Sequence, residues 1–130
     1  MRKEVKMIYG IGTDLVEMER VVKACEKQSF LDHIFTRKEQ ELLQRDKKKA
    51  AGNFAVKEAV VKMFGVGFRQ ITPIQIEVLR DELGKPYINL YEAALDYAKQ
   101  GKITKIHVSI TNTKEYASAY VVGEITEVTV

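Results

Sequence analysis

The sequence predicts an α+β fold: a single domain with helices packed on a mainly antiparallel sheet. Three observations carry this. Residues 15–64 place apolar side chains at helical spacing, residues 74–125 change to alternating apolar and polar positions, and turn residues fill the short gaps between the alternating runs. A length of 130 residues supports one core and not two.

The elements follow in order. Residues 7–12 form a short apolar strand in which Gly10 and Gly12 let backbone or ligand approach closely. Over 15–27, Leu15, Met18, Val22 and Cys25 recur at helical spacing, with Asp14 as the N-cap. Residues 30–35 give a helical turn or two. Thr36 caps a helix reaching Gln44, and Glu39 three residues on completes a capping box. Residues 46–64 are the longest helix. Val56, Ala59, Val60, Met63 and Phe64 make its buried stripe, Lys57, Glu58 and Lys62 lie off it, and Gly65 and Gly67 end it. Ile74, Ile76 and Val78 then alternate with polar residues, as do 87–90, and 81–86 joins the two runs as a hairpin. A helix over 92–100 closes at Gly101, and 105–110 and 116–125 are two further strands. The folded domain is set at 7–125, with a charged lead at 1–6 and a tail at 126–130.

Composition narrows the function classes. The 45% apolar and 30% charged content is that of an ordinary globular protein. No apolar run approaches the roughly 20 residues of a membrane helix, and the first residues do not read as a signal peptide. One cysteine, Cys25, permits no internal disulfide and fits a reducing cytoplasm. A net charge of +3, with no tryptophan, argues against nucleic acid and suits an acidic partner or a polyphosphate ligand.

The candidate chemistry begins with two carboxylates. Asp14 ends a strand-like run, Glu58 sits mid-helix, and Lys62 follows one turn later. Such a set can hold a hard divalent cation on oxygen while the lysine answers phosphate charge. Each residue also has a plainer reading. Asp14 alone is a helix cap, and Glu58 with Lys62 alone is a surface ion pair of about 0.3–0.5 kcal/mol. His107, in an alternating strand, reads by itself as a packed, hydrogen-bonded side chain. The glycines before Asp14 lack the third glycine of a dinucleotide fingerprint.

Taken together, Gly-Ile-Gly-Thr-Asp at 10–14, Phe-Ala-Val-Lys-Glu-Ala at 54–59 and His-Val-Ser-Ile-Thr at 107–111 resemble the holo-acyl-carrier-protein synthase family, the small 4′-phosphopantetheinyl transferases. The resemblance runs from about 7 to about 122 and implies that family's fold. It implies transfer of 4′-phosphopantetheine from coenzyme A to a serine of apo-acyl carrier protein, with Mg2+ on Asp14 and Glu58 and Lys62 at the pyrophosphate. Lys57, Lys62, Gly67, Lys85, Pro86, His107 and Thr111 are the expected coenzyme A contacts, and Arg20 the contact to the carrier. It also implies a homotrimer with sites in clefts between subunits. The acceptor of the serine proton stays open between Glu58 and a metal-bound water. Two positions depart from the family: Asn53, where arginine is common, and Asn112, where histidine is common. The competing readings are a phosphate-ligand binding module without turnover and a structural oligomerisation domain.

Overall fold

Strand pairing between the two ends of the chain organises the molecule. The structure, a computed structural model, describes residues 1–129. Strand β1 (Lys3–Glu17) pairs antiparallel with β5 (Tyr116–Thr129), and β4 (Lys105–Asn112) pairs with the other side of β5, giving the order β1-β5-β4. A second antiparallel sheet holds β2 (Ile76–Arg80) and β3 (Pro86–Leu90). The helices are α1 (Met18–Ala24), α2 (Gln28–Ile34), α3 (Arg37–Arg45), α4 (Lys49–Phe64) and α5 (Glu92–Gln100), with a 3-10 turn at Pro73–Gln75. Among the described residues no helix is long and apolar enough to cross a membrane.

Helix α4 is the axis of the core. Twelve of its sixteen residues are buried, so it is covered on nearly every side rather than along one stripe. After the first residue the uncovered positions are Phe54, Glu58 and Lys62. Their i, i+4, i+8 spacing makes them a single line along the helix. Gly65 ends it in the left-handed region at φ 76°, while its N–H and that of Val66 close the last carbonyls at Lys62 and Val61.

Glycine lets the sheet approach this helix. A Cβ at Gly12 would come 1.8 Å from the Ala59 carbonyl oxygen, closer than any side chain allows. Gly10 meets the Met63 carbonyl oxygen in the same way at 3.0 Å. Because strand side chains alternate, Asp14 continues the series 10, 12, 14 and falls on the helix-facing side. The glycine run therefore sets the carboxylate beside α4.

Three expectations for this half of the chain are corrected. The helix expected over 15–27 starts only at Met18, because β1 continues through Glu17, which pairs with Tyr116. Asp14 is consequently not an N-cap, and Leu15 lies 62% exposed on the outer sheet face rather than in a helical stripe. Nor do residues 3–6 stand apart as a lead: they pair with 126–129, so β1 and β5 run past the expected bounds at 7 and 125.

Candidate active site

Lys62 Nζ donates to Asp14 Oδ1 at 3.0 Å and to the Thr13 carbonyl oxygen at 3.1 Å, tying the last turns of α4 to β1. The plainer reading of Glu58 with Lys62 as a surface ion pair gives way to a pair between Lys62 and Asp14. Glu58 lies half-buried one helical turn before Lys62. Burial first, and the Asp14 carboxylate second, push the Glu58 carboxyl above the usual carboxylate range, against a smaller opposing pull from Lys62. Two acids crowd each other while one exposed ammonium offsets part of the charge.

The chemistry of this donor set fits Mg2+. That ion takes oxygen ligands and is commonly held by one or two carboxylates, completed by water and substrate phosphate. Among the described residues no group of three or more acidic, histidine or cysteine side chains is placed to hold a metal ion. A pair is therefore what the fold supplies.

Lys57 requires a correction. Expected at the coenzyme A site, its side chain is wholly buried and donates to Glu39 Oε1 at 2.7 Å, to the Pro73 carbonyl at 2.9 Å and to the Ile76 carbonyl. All three ammonium protons are used inside the protein, so no phosphate can reach them. Glu39 serves two purposes. Its Oε1 closes the predicted capping box with Thr36, while Oε2 accepts from Asn53 Nδ2 at 3.0 Å and from the Val78 N–H at 3.2 Å. Burial pushes Glu39 up and Lys57 down from their ordinary values, with their mutual attraction opposing both shifts. Asn53 is equally buried, and its Oδ1 has no hydrogen-bond partner among the described residues.

A second cluster lies at the opposite edge of the sheet. Lys85, Pro86 and His107 line one cleft of about 330 Å3 with Asp81, Tyr87 and Lys105. His107 Nε2 lies 3.1 Å from Glu124 Oε2, an exposed pairing across to β5. Lys105 and Tyr87 were missed by sequence reasoning. The signal was present in Lys105, which stands two residues before His107 and so shares its face of β4. Thr111 is exposed on that same outer face, and Gly67 sits in the turn after α4 with its N–H bonded to Gln70. Neither joins a cluster. Arg20 is exposed on α1 and borders a groove of about 410 Å3 lined by Leu15, Val21, Phe30, Phe54 and Tyr116. The structure thus unites Asp14 of β1 with Glu58 and Lys62 of α4, and separately His107 of β4 with Lys85 and Pro86 at the start of β3, and β1 and β4 are the two edges of the sheet.

An α+β domain that sets a strand carboxylate, Asp14, against a helix carboxylate and lysine, Glu58 and Lys62, has the chemistry of a phosphate-handling site. The family model for the 4′-phosphopantetheinyl transferase superfamily matches residues 10–121, and the chain belongs to that superfamily. It is 66% identical over 119 residues to the holo-[acyl-carrier-protein] synthase of Lachnoclostridium phytofermentans, covering 92% of this chain and 98% of the relative. Among solved structures, it superposes on the acyl carrier protein synthase of Plasmodium yoelii with ADP bound at a TM-score of 0.82 and 29% identity, covering 93% of this chain and 98% of that one. The holo-(acyl-carrier-protein) synthase of Bacillus anthracis in complex with CoA (3′,5′-ADP) is 32% identical at a TM-score of 0.75, covering 92% and 98%.

Proposed function

We propose that the chain transfers 4′-phosphopantetheine from coenzyme A to a serine hydroxyl of apo-acyl carrier protein, releasing adenosine 3′,5′-bisphosphate. The observation that carries this reading is the convergence of Asp14, Glu58 and Lys62 at the contact of β1 with α4 in a member of this superfamily. The serine oxygen attacks the β-phosphorus, the bond to the bridging pyrophosphate oxygen breaks, and the serine proton must leave. Mg2+ bound by Asp14 and Glu58 would neutralise phosphate charge. Glu58 or a water held beside it would accept the serine proton. Lys62 supplies positive charge at the pyrophosphate, Lys85 and Lys105 supply it in their cleft for the adenosine phosphates, and His107 can offer a hydrogen bond there.

The Arg20 groove supports a docking place for the carrier. It shares Phe54 with the Phe54–Glu58–Lys62 line, so a carrier helix lying there would hold its serine near Glu58. Assembly as a homotrimer belongs to the same reading. Ile11, Leu15 and Tyr120 leave an apolar outer sheet face open at 70%, 62% and 62%, and a neighbouring copy covering it would bring a β4 edge toward this β1 edge. A cytoplasmic setting completes the reading. The test is to mix the protein with coenzyme A, Mg2+ and apo-carrier and weigh the carrier by mass spectrometry. Gain of the phosphopantetheine mass supports the function. Binding of coenzyme A without that gain supports the non-catalytic module instead.

A further inference from the structure

We propose that Lys62 is an exchangeable counter-ion: it neutralises Asp14 while the carboxylate pair holds no divalent cation, and is released toward the phosphate ligand when the pair takes one up. The inference rests on the reading that Asp14 and Glu58 hold Mg2+. Four observations lead to it. First, Lys62 Nζ occupies Asp14 Oδ1 and the Thr13 carbonyl oxygen together, two hard oxygens of the kind a divalent cation seeks. Second, the Lys62 side chain is 53% exposed while that of Asp14 is 14% exposed, so the lysine can leave into solvent and the carboxylate cannot follow it.

Third, the cluster is undercharged. Asp14 and Glu58 together carry two negative charges when ionised, Lys62 returns one, and among the described residues no side-chain hydrogen bond supports Glu58. A doubly charged ion neutralises this set fully, and it repels an ammonium touching the same oxygen. Fourth, the backbone holding Asp14 is fixed by the contact of Gly12 with Ala59. The movable member is therefore the long flexible lysine. One residue then explains two needs: the empty pair is kept from self-repulsion, and a cation is delivered to the phosphates only when the site is loaded.

Equilibrium titration of Mn2+ into the full chain without coenzyme A tests this, following free Mn2+ by paramagnetic resonance. Lys62→Met should bind the ion about 1.5-fold to fivefold more tightly than wild type, a range set by the strength of a half-exposed ion pair. In parallel, the side-chain 15N signal of Lys62 should move toward that of a free lysine as Mg2+ saturates the wild type. Equal or weaker Mn2+ binding by Lys62→Met, or a Lys62 signal unmoved at saturation, overturns the exchange and leaves the metal reading standing. Binding that survives Asp14→Asn, or no binding to wild type and Lys62→Met alike, overturns the shared-metal reading and the exchange with it.

Discussion

Lys57 and Glu58 are consecutive residues of one motif on one helix, yet one is sealed in the core and the other faces the candidate site. Successive helical residues point about 100° apart, so neighbours in sequence can serve different regions. Around Lys57 the protein supplies a carboxylate and two carbonyls, and the ammonium is consumed by structure. Around Glu58 it supplies burial and a second acid, and the carboxyl is left in need of a partner. The first region spends its charge inside the protein, whereas the second holds charge in reserve. Unmet electrostatic demand, rather than membership of a motif, marks the residue available for chemistry.

Removing the lysine from the sealed region should have the largest effect on stability. Lys57→Met leaves Glu39 buried without its counter-charge and should cost about 3–5 kcal/mol in denaturant unfolding. Adding Glu39→Gln should recover part of the loss. Wild-type stability in Lys57→Met alone would erase the contrast between the two regions.

Gly12→Ala comes next, because it acts on the joint between sheet and helix. The new methyl would overlap the Ala59 carbonyl, and neither backbone can yield cheaply. A loss of about 1–3 kcal/mol follows, with displacement of Asp14 from α4. The check is an unfolding curve together with Mn2+ affinity, and both should fall.

The third test concerns the rim of the open region. Arg20→Asp should raise KM for the carrier severalfold and leave KM for coenzyme A unchanged. The effect should shrink as salt rises, because charges exposed at the surface are screened over about 8 Å near physiological ionic strength. Glu17 lines the same groove and opposes Arg20, which is why this effect ranks last. A carrier KM indifferent to both the reversal and salt would move docking away from α1.

Local signals made much of this legible. The α+β class, the Thr36–Glu39 capping box and the end of α4 at Gly65 follow from spacing and turn chemistry, and the structure contains each. The failures are nonlocal. Leu15 fits a helical stripe by spacing, but pairing with a strand a hundred residues away overrides it. Lys57 looked free because its acceptors come from α3, the 3-10 turn and β2. The period of α4 could not reveal that it is enclosed on nearly all sides. In the same way, the sequence placed Lys62 one turn from Glu58, while the fold delivers Asp14 to it from β1.

The most direct test of the contrast combines two measurements on Glu58→Gln: the transfer rate at saturating coenzyme A and carrier, and the pH dependence of unfolding. Transfer should fall at least about a hundredfold while the fold persists. Because the Glu58 carboxyl is raised in the folded state, its ionisation opposes folding. The penalty is absent below the ordinary carboxylate value, grows as pH rises through the folded value, and persists above it. Glu58→Gln should accordingly match wild type in acid and be the more stable protein at neutral pH. A variant that transfers at the wild-type rate, or is less stable than wild type at neutral pH, would contradict the assignment of Glu58 to chemistry.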